Sequence, residues 1–287
     1  MKSIDTLKTL TKVGAAFTLM ANVLVANAGV VSVSNYPLLL LSNAVTGDDH
    51  PAQMLLGAGD VGHHGELSPS AKKLIGESDY VVWFGGLLEQ NLVNALSDAP
   101  NAISLFDLKA FDRLPMRHID GKPQPESLDV HIWLDPKNAK AIVRALAVIH
   151  SHANPDKASV YAQNAKNFQV RMDEAVRSVK LQGKPMPYWA YHDSFQYLEK
   201  SANLTFDGAL TADHHLSPKA SQIAHLKKTR PKTHMCVASQ RKVSDGIVNK
   251  LGEVSTVVHQ EDMSDAKDFI QGWVGLVTDI QRCTQGV

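Results

Sequence analysis

From residue 29 onward, short apolar runs alternate with stretches long enough for helices, and that alternation limits the chain to an α/β fold, mostly parallel sheet covered by helices. Residues 30–34, 52–56, 79–84 and 102–105 are the strand candidates of a first half. The segments between them have room for the crossover helices that parallel pairing requires. Helix starts are marked by Ser68-Pro69-Ser70, Asp135-Pro136 and Asn154-Pro155-Asp156, with proline at or near the first helical position. The third start opens the longest helix, residues 155–182. There Tyr161, Ala165, Phe168, Met172, Ala175 and Val179 recur at spacings of three and four and form one apolar stripe. Gly183-Lys184-Pro185 stops it, and strand candidates resume at 188–191, 206–210, 235–238 and 256–258. The expected architecture is therefore two similar lobes, each a mostly parallel four-stranded sheet flanked by helices. The lobes comprise residues 29–154 and 183–287, and one long helix joins them.

Residues 1–28 read as an address. Lys2, Lys8 and Lys12 precede an apolar run at 13–25 that is too short for a stable span, and Ala26-Asn27-Ala28 has the small-x-small form of a cleavage site. No cysteine follows the run, so no lipid anchor is expected, and no later stretch approaches the ~18 apolar residues of a span. The expectation is a protein secreted through a cleavable signal peptide. Lys plus Arg and Asp plus Glu both total 29 in the 287 residues. No basic footprint for nucleic acid follows from that balance. In an oxidising compartment Cys236 and Cys283 read as a structural disulfide pinning the last helix to a strand; the alternative is two buried free thiols.

Thirteen histidines are the unusual feature of the composition. Open α/β sheets bind ligands beyond the carboxyl ends of their strands, and four histidines belong to such loops. His63 follows the glycine-rich run 57–62, and His131 lies between an exposed loop and the Asp135-Pro136 helix start. His192 and His259 each directly follow a strand. Two come from each half, as a metal site between lobes requires. His64 is an alternative to His63, and the pair His214-His215 an auxiliary contact. His150 and His152 lie near a helix C-terminus, where cationic character suits the dipole. Motifs of familiar metal enzymes and phosphate loops are missing. Even so, three imidazoles with an open position also describe a catalytic zinc site. The rival reading is thus an extracytoplasmic zinc hydrolase with Asp193 or Glu66 as general base.

Four motifs carry a resemblance that runs over nearly all of the chain beyond residue 28. They are His63-His64-Gly65-Glu66-Leu67-Ser68-Pro69-Ser70, Ser78-Asp79-Tyr80-Val81-Val82-Trp83-Phe84-Gly85, His131-Ile132-Trp133-Leu134-Asp135-Pro136 and His192-Asp193-Ser194-Phe195-Gln196-Tyr197-Leu198-Glu199. Together they resemble the zinc-binding members of the cluster A-I substrate-binding proteins of bacterial ABC importers. The resemblance implies a periplasmic, monomeric protein that catalyses no reaction, captures Zn2+ between two α/β lobes and delivers it to a membrane ABC permease. It matches the family's metal ligands to His63, His131 and His192, and it implies the Cys236–Cys283 disulfide. Manganese members place a carboxylate on the loop after the last strand, a place that falls on His259 here. His259 is accordingly a candidate fourth ligand or a solvated neighbour of the metal. A nitrogen-rich set favours zinc over manganese. The long histidine-rich loop of many zinc members is absent, since residues 107–129 hold only His118.

Overall fold

A computed structural model describes residues 28–60, 67–212 and 216–286. The apolar N-terminal run lies outside them. The first sheet contains β1 (Val31–Val33), β2 (Gln53–Met54), β3 (Tyr80–Trp83) and β4 (Ala102–Ser104), all parallel, in the order β2-β1-β3-β4. Around it lie α1 (Tyr36–Thr46), α2 (Pro69–Glu77), the short α3 (Val93–Leu96) and α4 (Pro136–Ala153). Then comes α5 (Ala158–Val179). The second sheet repeats the order as β6-β5-β7-β8, again all parallel, from β5 (Met186–Ala190), β6 (Leu204–Ala209), β7 (Met235–Ser239) and β8 (Val254–Val258). Its helices are α6 (Glu199–Ala202), α7 (Ala220–Thr229), α8 (Asp245–Leu251) and α9 (Phe269–Gln285). Among the described residues no helix is long and apolar enough to cross a membrane.

Local chemistry sets the helix boundaries. Ser68 accepts from the amide of Ala71, Asp135 from that of Lys137 and Asp268 from that of Gln271, each satisfying an amide that has no partner within its helix. The third start differs from expectation: Pro155–Lys157 is a tight 3-10 turn, and the α-helix proper runs only from Ala158 to Val179. All six residues of the expected stripe are buried. They join an apolar core that continues from Val33 and Leu41 in the first lobe to Trp273 and Ile280 on α9. Trp273 Nε1 donates to the Leu134 carbonyl at 2.9 Å, and Gln281 Nε2 donates to the carbonyls of Val179 and Ala202. Cys236 on β7 and Cys283 on α9 form a disulfide across a Cα separation of 5.3 Å.

His150 departs from the expected cationic role. It is fully buried on α4, its Nε2 shares a hydrogen bond with Ser42 Oγ at 2.7 Å, and burial pushes the imidazole down to about 4. The folded protein therefore holds it neutral at pH 7. Between the ordinary value of 6.5 and about 4 the unfolded chain takes up a proton that the folded chain refuses, so stability falls as pH falls through this window. Acidification across it should cost up to about 3 kcal/mol from this residue. Urea unfolding at pH 7.5 and 4.5 checks this: the Ser42→Ala/His150→Leu variant should show a shallower pH dependence than the parent, and an equal slope would assign the acid sensitivity elsewhere.

Candidate metal centre

Three side chains from three loops converge at the junction of the lobes. His131 ends the long segment that follows β4 and begins a 3-10 turn, Ile132–Leu134. His192 follows β5, and Glu261 lies in the loop between β8 and α9. All three are buried, and they are the group of potential metal-ligating side chains found among the described residues. Glu261 Oε2 stands 3.2 Å from His192 Nε2 and 3.7 Å from His131 Nε2. The edge of a zinc tetrahedron with bonds of about 2.0–2.1 Å is about 3.3 Å, so these separations suit donors around one such ion. Glu261 Oε2 is buried and makes no hydrogen bond of good geometry. A cation is the partner that such an atom fits.

Neighbouring groups aim these three side chains. Asp129 Oδ1 accepts from His131 Nδ1 at 2.7 Å and from the His131 amide at 3.0 Å. That contact fixes the tautomer that leaves Nε2 facing the cluster, as the carboxylate partners of metal-bound histidines do. Trp133 Nε1 donates to the Glu261 carbonyl at 3.0 Å, Tyr36 Oη donates to the Ala266 carbonyl, and the Gly59 amide donates to Asp262 Oδ2 at 2.8 Å. Three first-lobe groups thus hold the second-lobe loop that carries Glu261. Burial opposes ionisation of Glu261, but His131 and then His192 outweigh it and hold the carboxyl well below its usual range. Burial likewise disfavours the His131 cation, yet Asp129 and Glu261 together push that imidazole up to about 10. The Glu261 carboxylate and the His131 imidazole thus favour each other's charged forms. A cleft of about 820 Å³, whose walls include Arg113, Leu114, Met116 and Arg117, opens onto His131 and His192.

Of the four histidines singled out in the sequence, the structure brings together His131 and His192. It does not bring His259 to them. The His259 amide donates to the Ser239 carbonyl, continuing the β7–β8 ladder, and the ring faces away toward α9. There Nε2 donates to Asp279 Oδ2 at 2.9 Å, and Asp265 lies 3.6 Å from Nδ1. Two residues on, the turn spanning Gln260 to Met263, with Met263 at φ 52°, directs Glu261 into the cleft instead. His63, His64, Glu66, His214 and His215 lie outside the described residues. Asp193, one of the two general-base candidates of the hydrolase reading, is engaged by the Arg117 guanidinium through two 2.7 Å hydrogen bonds. Placing the family carboxylate at His259 assumes no insertion after β8, whereas the side chain that joins His131 and His192 is Glu261. The sequence signal was the acidic pair Glu261-Asp262 two places further on.

These features define a two-lobed α/β protein whose lobes meet on a candidate metal centre. The family model described as "Zinc-uptake complex component A periplasmic" matches residues 31–282, and the chain belongs to that family of periplasmic zinc-uptake components. It is 26% identical over 254 residues to the high-affinity zinc uptake system protein ZnuA of Brucella abortus (strain 2308), covering 73% of this chain and 76% of that one. Its identity to the corresponding protein of Yersinia pestis is 22% over 271 residues, with 85% of each chain covered. Among solved structures, a crystal structure of ZnuA superposes with a TM-score of 0.73 at 18% identity, covering 90% of this chain and 100% of that one. The periplasmic zinc binding protein TroA from Treponema pallidum gives 0.71 at 14% identity, covering 89% and 99%. The two structural matches support the α/β, two-lobed architecture, and the comparisons give the hydrolase reading no support.

Proposed function

We propose that this chain captures Zn2+ between its lobes and delivers it to a membrane ABC permease, catalysing no reaction itself. His131, His192 and Glu261 are the ligands in this reading, and His63 is the fourth. The Gly59 amide, four residues before His63, is held by Asp262 beside Glu261, which supports a place for His63 at the same centre. Residues 1–28 act as a cleaved signal peptide, the mature chain is a periplasmic monomer, and residues 29–154 and 183–287 form lobes on either side of the connecting segment 155–182. The observation that carries the reading is the convergence of two imidazole nitrogens and a buried carboxylate oxygen from both lobes, at 3.2 and 3.7 Å, in a chain of the zinc-uptake family.

A zinc ion and a proton compete for His131 Nε2, which faces the Glu261 carboxylate at 3.7 Å. Zinc uptake should therefore release a proton at neutral pH, and affinity should fall as pH falls, because protons compete for the same nitrogens. Three neutral imidazoles with one carboxylate suit zinc better than manganese. Competition titration of tag-free, metal-stripped protein against a chromogenic chelator tests the proposal. The expected result is one tightly bound zinc per chain, preferred over manganese and accompanied by proton release. A manganese preference, or folded protein that retains no metal, would overturn it, and zinc-dependent hydrolysis of esters or amides would return the enzyme reading.

A further inference from the structure

The segment between β4 and His131 leaves the first lobe and lies along the second. The Ile119 carbonyl accepts from the Ala209 amide at the end of β6, and the Leu114 amide donates to Tyr197 Oη, which donates in turn to the Asp129 carbonyl. At its middle is Arg117, nearly buried, with its guanidinium carbon 4.3 Å from the centre of the Phe206 ring. Nε and Nη2 donate to the two oxygens of Asp193 at 2.7 Å each, while Nη1 and Nη2 donate to Glu199 at 3.0 and 2.6 Å. Tyr188 Oη adds a further hydrogen bond to Glu199 at 3.1 Å. Asp193 is the residue next to His192.

We propose that Arg117 is a positioning residue for the metal centre: reaching across from the first lobe, it fixes Asp193 and thereby sets the His192 imidazole before any metal arrives. The inference rests on the reading of the site as a zinc centre. A planar fork gripping a carboxylate through two parallel hydrogen bonds fixes orientation as well as distance, which a lysine ammonium cannot do. The geometry also assigns both visible imidazoles to one segment. Its last part holds His131 through Asp129 and its middle holds His192 through Arg117 and Asp193, leaving the two rings 6.1 Å apart between centres. Glu199 takes the other edge of the guanidinium and Phe206 its face, and of the residues that Arg117 grips, Asp193 is the one adjacent to His192.

Three variants and one measurement on the parent test this. Arg117→Lys and Asp193→Asn should each weaken zinc binding by ~10- to 100-fold, the range for groups that orient a ligand without touching the metal. Both should also alter the visible absorption bands of the Co2+-loaded protein, which report ligand geometry. Glu199→Gln removes the same charge from the same guanidinium on its far side, and its zinc affinity and Co2+ spectrum should stay close to the parent's. Hydrogen exchange in the parent should find residues 114–129 and 193–199 equally protected with and without zinc. Equal losses in Asp193→Asn and Glu199→Gln would reduce Arg117 to a stabilising bridge and overturn the proposal. Protection of those segments that appears only with zinc would do the same, and this readout decides the matter even if Arg117→Lys fails to fold. A folded parent that binds no zinc would overturn the zinc centre itself, a result distinct from either.

Discussion

Glu261→Gln and His131→Ala should each weaken zinc binding by at least ~100-fold, the upper end of what outer-shell losses cause, while His259→Ala binds like the parent. The glutamine variant keeps the shape of the side chain and removes the charge. It leaves an amide where Oε2 now faces two imidazole nitrogens at 3.2 and 3.7 Å. The alanine variant removes a nitrogen donor and also strands Asp129, which His131 Nδ1 now satisfies. His259 is occupied with Asp279 at 2.9 Å, and its removal touches neither the cluster nor the turn that carries Glu261. Competition titration of the three proteins side by side separates the possibilities. A crippled His259→Ala with an intact Glu261→Gln would put the imidazole back among the ligands and the carboxylate outside them.

Loss of the disulfide has the other large expected effect. Cys236 and Cys283 close a loop of 47 positions, and in the chain-entropy model such a link stabilises the fold by about 4 kcal/mol through the unfolded state. The Cys236→Ser/Cys283→Ser protein should unfold at a markedly lower urea concentration, by an amount corresponding to about 3 to 4 kcal/mol. Its zinc stoichiometry should not change, because β7 and α9 contribute none of the three clustered side chains. Unfolding midpoints that coincide would show that packing of α9, and not the covalent link, holds that helix in place.

Elements with strong periodicity were legible in the sequence, as the α5 stripe shows residue by residue. The strand runs were found in the right number and order, but their edges were not. β2 is only Gln53–Met54 within the candidate 52–56: its paired register stops opposite Val33, although the Leu55 and Leu56 amides still donate to the Val33 and Ser34 carbonyls, and apolarity alone does not reveal that. At the site, His131 and His192 were visible because each sits at a fixed offset from a strand end or helix cap. Glu261 was not, since a turn intervenes between its strand and the cleft, and a turn shifts which residue points inward without changing composition. The neutral state of His150 was equally hidden, because a helix C-terminus argues for charge, and only the packing of α1 and α5 around it argues against.

The position of α9 has a consequence for how the molecule comes into being. This last helix in the chain places Phe269 beside Phe168 of α5 and hydrogen-bonds Trp273 to Leu134 of the first lobe. During synthesis the first 260 or so residues therefore emerge without the partner that completes their core. The amino-terminal half should not acquire native protection until the carboxy-terminal end is free to dock. Once docked, both halves should melt together in one transition, since neither retains a complete core after the other is lost.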